Sequence, residues 1–113
     1  MKVTQSALLN SSQAAEVKKL GAVLARLRIA RGMKQDQAAL RAGLSRNTAY
    51  RLEKGDPGIA MGQVLRYLEA IVPGKTLLEL LSETDPALAA LSAKERRHRA
   101  RELSKRELEE IDF

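Results

Sequence analysis

The stretch from Gln35 to Gly55, Gln-Asp-Gln-Ala-Ala-Leu-Arg-Ala-Gly-Leu-Ser-Arg-Asn-Thr-Ala-Tyr-Arg-Leu-Glu-Lys-Gly, narrows the folds open to this chain more than any other. It holds two short helical runs, separated at Ala42-Gly43-Leu44 by a turn whose glycine tolerates positive φ. Ser45 is a good N-cap for the second run, and Gly55 ends it. Two short helices joined by so tight a turn cannot lie side by side along their length, so they cross steeply and the second projects from the domain. Ala39 supplies the small residue that the closest helix contact demands. Leu44, Ala49 and Leu52 fall on one face of the second helix and are expected to anchor it. The helical period then turns Arg46, Asn47, Thr48, Tyr50 and Arg51 outward, with Lys54 at the far end.

That outward set has a definite chemistry. An Arg pairs with the two acceptors of guanine, an Asn with the donor and acceptor of adenine, and a Thr methyl touches the methyl of thymine, each good bidentate contact giving roughly 1–3 kcal/mol of discrimination. Arg46, Asn47, Thr48 and Arg51 are therefore candidate base-reading residues of a double-stranded DNA partner, and Tyr50 and Lys54 are candidates for phosphate contact. The plain alternative is a solvated helix face. Charge distribution bears on the choice: of a net +6, residues 1–56 hold 11 Lys/Arg against 4 Asp/Glu, and residues 57–113 hold 9 against 10. A polyanion should meet the N-terminal half.

The flanking sequence predicts an all-α domain over residues 17–82 with five helices. Leu20, Val23, Leu24, Leu27 and Ala30 form the stripe of a first helix that Gly32 stops. Met61, Val64, Leu65, Leu68, Ile71 and Val72 mark a fourth helix ending at Pro73-Gly74. Thr76-Leu-Leu-Glu79 has the form of a capping box opening a fifth. Residues 1–16 lack sustained periodicity and contain the polar cluster Asn10-Ser11-Ser12, so they are expected to be a flexible arm. Residues 83–113 are expected to be a charged helical extension in two or three pieces, started by Asp85-Pro86, Ser92-Ala-Lys-Glu95 and Ser104-Lys-Arg-Glu107. Lys94 to Arg106 carries seven bases against Glu95 and Glu102; such a run is a solvated helix face or a second DNA contact. Leu91, Leu103, Leu108, Ile111 and Phe113 do not form one stripe, and they suit a segment that folds back, dimerises or binds a partner.

Several functions are disfavoured. There is no Cys and a single His, His98, so no metal site has ligands at sensible spacing and no cofactor is implied. No nucleophile-base set, phosphate-binding Gly loop or paired carboxylate is present, which argues against an enzyme. No run of about 18 apolar residues exists, so a soluble, cytoplasmic protein without a membrane partner is expected.

Taken together, Leu20, Leu27, Arg28, Arg31 and Gly32, then Gln35 and Ala39, then Gly43-Leu44-Ser45 and Leu52-Glu53-Lys54-Gly55, resemble the Cro/lambda-repressor-like helix-turn-helix regulators, the xenobiotic response element family, over residues 18–82. The resemblance implies a five-helix lambda-repressor-like domain in which Gln35 bonds a DNA phosphate, Arg46, Asn47 and Arg51 read bases, and Glu53 pairs with Arg28 for structure. Ala38, where the family usually has Leu, and Leu40, where it is usually polar, depart from the pattern. Two regulator readings follow. One is a repressor acting as a homodimer on a pseudo-palindromic operator with half-sites about one DNA turn apart. The other is a DNA-binding antitoxin, since Arg51-Leu-Glu-Lys-Gly-Asp-Pro-Gly-Ile59 looks like antitoxins and regulators encoded beside HipA-type kinases; residues 83–113 would then hold the toxin.

Overall fold

The computed structural model describes residues 4–82 and 86–111, and the regular structure among them is entirely helical. A single turn, α1 (Gln5–Leu8), precedes the long α2 (Ser11–Ala30), then come α3 (Gln35–Ala42), α4 (Arg46–Glu53), α5 (Met61–Ile71), α6 (Leu77–Leu81) and α7 (Pro86–Ile111).

The two ends depart from the sequence expectation. Asn10 Oδ1 accepts the Gln13 N–H (2.8 Å) and the Asn10 N–H donates to Gln13 Oε1 (3.1 Å). This reciprocal box satisfies two donors that a helix start would otherwise leave open. The polar cluster expected to lie in a flexible arm is therefore a helix start, six residues before Val17. Residues 1–3 of that arm lie outside the described residues. At the other end, α7 is one helix of 26 residues rather than two or three pieces. Neither Gly nor Pro occurs between residues 87 and 111, so nothing interrupts the backbone ladder at Ser92 or Ser104. Asp85, the expected cap, and the side chains of Glu107, Leu108, Glu109, Glu110, Ile111, Asp112 and Phe113 lie outside the described residues.

Local chemistry sets the middle of the chain. Gly43 closes α3 at φ 70°, a left-handed conformation that costs a residue with Cβ about 1–2 kcal/mol. Ser45 Oγ then accepts the Thr48 N–H (3.0 Å) and opens α4. Thr76 Oγ1 does the same for Glu79 in α6 (3.2 Å). The core collects Leu24 and Leu27 from α2, Ala38, Ala39 and Ala42 from α3, Ala49 and Leu52 from α4, Val64, Tyr67, Leu68 and Ile71 from α5, and Leu80 from α6. Three alanines on one side of α3 let that helix approach both α4 and α5 closely.

The start of α7 returns to α2. Ala87 and Leu88 pack at the edge of the core, and the Arg26 guanidinium forks onto Glu95, with Nη1 donating to Oε2 (3.1 Å) and Nη2 also donating to Ser92 Oγ (3.4 Å). From Arg96 to Arg106 every side chain is exposed. The molecule is accordingly elongated, 67 Å by 32 Å by 26 Å.

Two glycines let α2 touch the end of α4 backbone to backbone. A Cβ on Gly21 would lie 2.6 Å from the Leu52 carbonyl oxygen, 2.8 Å from that of Glu53 and 2.8 Å from the Gly55 nitrogen. Gly55, at φ 79°, would drive a Cβ into the Lys18 Cα and nitrogen. No side chain fits between the two helices there. Replacing Gly21 by Ala is expected to destabilise the fold by about 1–3 kcal/mol. The same change at Gly62, where a Cβ meets nothing within 4 Å, should leave stability unchanged or raise it by up to about 1 kcal/mol. Denaturant unfolding of both variants measures the contrast.

Candidate nucleic-acid interface

The orientation of α4 is fixed by one carboxylate at its last turn. Arg28 of α2 donates from Nε to Glu53 Oε2 (2.7 Å) and from Nη2 to Glu53 Oε1 (3.0 Å), the bidentate geometry in which such pairs are strongest. Its Nη1 also donates to the Met33 carbonyl (2.8 Å), tying in the α2–α3 turn. Gln35 Nε2 donates to Glu53 Oε1 (2.9 Å) and the Tyr67 hydroxyl donates to Glu53 Oε2. Helices α2, α3 and α5 thus meet on one residue of α4. The Glu53 side chain is 6% exposed and that of Arg28 14%. Burial pushes the Glu53 carboxyl up, but hydrogen bonds from Arg28, Tyr67 and Gln35 outweigh it and hold the group below its ordinary value. Burial and the bond to Glu53 push the Tyr67 hydroxyl well above the usual range.

With that acid turned inward, the outer face of α4 is cationic and polar. Arg46, Asn47, Tyr50 and Lys54 are exposed, and Lys54 Nζ stands 5.5 Å from the centre of the Tyr50 ring, a cation–π contact. The side chains of Arg46 and Asn47 have no hydrogen-bond partner among the described residues.

Three of the residues singled out from the sequence sit differently from that face. Thr48, expected to point outward, is half-buried, because it lies closer around the helix to Ala49 and Leu52 than to Arg46, and its Oγ1 accepts from Ser45 Oγ (2.8 Å). Arg51 is 43% exposed and turned toward the α4–α5 loop, where Nε donates to Asp56 Oδ2 (2.7 Å). Gly58 N–H closes the loop on Asp56 Oδ1 (2.8 Å), and that bond, with Arg51, holds the Asp56 carboxyl below its ordinary value. Gln35 is half-buried with its amide on Glu53, although it remains the first residue of α3, where backbone N–H groups are unpaired by the helix.

Sequence reasoning did not find Tyr67, Gly21 or Asp56. Asp56-Pro57-Gly58 does carry a legible signal, since Asp commonly bonds the N–H two residues on. Tyr67 and Gly21 gave none. The departures at Ala38 and Leu40 resolve simply: Ala38 is fully buried in the core, and Leu40 is 81% exposed.

A family model described as a helix-turn-helix domain matches residues 19–80, more than half of the chain. The chain belongs to that family. The match spans α3, the Gly43 turn and α4, the unit built around Glu53, and it ends within α6. Comparison with curated proteins and with solved structures gives no match. Elsewhere in this helix-turn-helix protein, no group of three or more metal-ligating side chains occurs among the described residues. His98 pairs with Glu102 across one helical turn (3.1 Å). No helix among the described residues is long and apolar enough to cross a membrane.

Acid should loosen the junction. Because Glu53 titrates lower in the folded chain than unfolded, its contribution is present in full above its unfolded value, about 4.3, and is lost as pH falls through the lower folded value. Glu53→Ala, which strands Arg28 and Tyr67, is expected to lose about 3–5 kcal/mol at neutral pH. It should also flatten the acid limb of a stability–pH curve below about pH 4. Urea melts across that range check both effects.

Proposed function

We propose that this helix-turn-helix protein is a sequence-specific regulator of transcription that binds double-stranded DNA, with α4 in the major groove. The observation that carries the reading is the division of labour on α4. Its acid and its apolar residues face the protein, while Arg46 and Asn47 stand exposed and unpartnered at the end that Ser45 caps. Arg46 and Asn47 are the base-reading residues. Thr48 adds only what its methyl reaches from a half-buried position. Arg51 reads a base on releasing Asp56, and an exposed pair of this kind holds it by only about 0–1 kcal/mol. Tyr50, Lys54 and the N-terminus of α3 at Gln35 face the phosphates, which fix register without carrying sequence.

The regulator acts as a repressor and homodimer on a pseudo-palindromic operator in this reading. Supporting a dimer is the apolar side of α6, where Leu78 is 79% exposed and Leu81 borders a groove against Val17, Leu20 and Val23 of α2. The run Arg51–Ile59 that favours an antitoxin is accounted for by closure of the α4–α5 loop through Asp56. It gives that second reading no support beyond the resemblance itself.

Arg46→Ala and Asn47→Ala are each expected to relax preference at one or two base pairs of a site selected from a random duplex pool, by about 10- to 100-fold. Affinity for random duplex should change far less for Asn47→Ala. Wild-type affinity should fall by orders of magnitude between about 50 and 200 mM salt. Binding that is flat with salt would instead indicate a protein-binding adaptor, and equal losses on selected and random DNA would remove Arg46 and Asn47 from the reading surface.

A further inference from the structure

The basic part of α7 plays no role in the fold beyond Glu95, and its charges are ordered. On a helical period Lys94, Arg97, Arg101 and Lys105 fall on one side of α7, opposite the side that Leu88, Ser92 and Glu95 turn to α2. Lys94, Arg97, Arg101 and Lys105 are all exposed. None of the four has an ion pair with a described side chain. Of the two acids between Lys94 and Arg106, Glu95 is held by Arg26, and Glu102 lies 3.1 Å from His98 one helical turn away.

The direction of the helix matters as much as its charge. The groove between α2 and α7 is lined by Lys19, Ala22, Val23 and Arg26 on one wall and Leu88, Ala89 and Ser92 on the other. Leu80 and Leu81, just before α7, border Leu20 and Val23, whereas Ser92 and Glu95 reach Arg26. So α7 advances in the same sense as α2. Only four residues of α2 remain after Arg26, but α7 continues through Arg106, about 16 Å further at 1.5 Å per residue. The stripe therefore extends past the end of α2 where the chain passes through Gly32 into the N-terminus of α3, the end that the proposed function sets against phosphates.

We infer that Lys94, Arg97, Arg101 and Lys105 form a second DNA contact, a sequence-independent clamp on the phosphate backbone flanking the site read by α4. Charge complementarity selects duplex DNA. The stripe is about as long as four or five successive phosphates of one strand measured along the axis. Its four side chains are long exposed cations spread along the helix axis rather than a mixed set of donors and acceptors. This inference rests on the proposed function, because it takes the position of the duplex from α4.

The test is the salt dependence of binding to a random-sequence duplex about three turns long, comparing the full-length protein with the variant carrying Lys94→Gln, Arg97→Gln, Arg101→Gln and Lys105→Gln. Gln keeps helix propensity close to that of Lys and Arg, and circular dichroism and thermal melting of the variant should match wild type. The slope of log affinity against log salt is expected to become shallower by roughly three to four per bound subunit, with base preference at the selected site unchanged. A second variant, Arg96→Gln with Arg106→Gln, removes charges from other sides of the same arm and should change the slope by less than one. A slope unchanged by the fourfold variant, with wild type still salt-sensitive, overturns the clamp and leaves the reading of α4 intact. Equal loss per charge in the second variant overturns the stripe. Wild-type protein that binds no duplex at all overturns both.

Discussion

Glu53 is where the structure is most tightly determined. A carboxylate taken out of water is tolerated only when its lone pairs are met, and here a guanidinium, an amide and a phenol from three different helices meet them. Since each donor comes from a different element, satisfying the acid fixes the last turn of α4 against α2, α3 and α5 at once. Arg28 extends the junction to the Met33 carbonyl, so the turn that leads into α3 is held by the same group. The consequence for the site is indirect but strong. The sole acid of α4 is hidden, and the rest of that helix presents only neutral and cationic groups outward.

Contact between α2 and the end of α4 adds a steric constraint to this electrostatic one. Hydrogen bonds at Glu53 set the orientation, and the absence of side chains at Gly21 and Gly55 sets the separation. Neither alone would suffice: a carboxylate network on helices held apart by a Cβ would lose its short bonds, and bare glycines would let the helices slide.

What the residues reveal in isolation follows from how local each determinant is. The Gly43 turn, the Ser45 cap and the apolar faces of α3, α4 and α5 are legible because positive φ, a capping hydroxyl and a 3.6-residue period are properties of neighbouring residues. The pairing of Arg28 with Glu53 was legible only through family resemblance, since nothing in a separation of 25 residues announces it. Ser-x-x-Glu is ambiguous in a different way. At Ser92 and Ser104 it lies inside α7, because a capping pattern starts a helix only where something has ended the previous one. The reverse happened at Asn10, whose side chain starts α2 where polar composition suggests a loop. Thr48 and Arg51 show the limit of helical wheels on an eight-residue helix. A shift of a few tens of degrees decides whether a residue faces solvent or core, and loop partners such as Asp56 lie beyond the wheel altogether.

Net charge is a poor guide to the surface a polyanion would meet, because the bases of this chain belong to two populations. Arg28 and Arg26 join helices, and their charge is cancelled by Glu53 and Glu95. Arg46 and the α7 stripe cancel nothing within the described chain. Arg51 falls between them, for its partner Asp56 is held by the Gly58 N–H as well as by the guanidinium. On the proposed reading of α4, the loop would keep its shape while Arg51 exchanges this weak, solvent-screened carboxylate for a guanine edge. Such an exchange gives up the one bond from Arg51 Nε to Asp56 Oδ2, so its outcome depends on the geometry of the acceptors offered in its place.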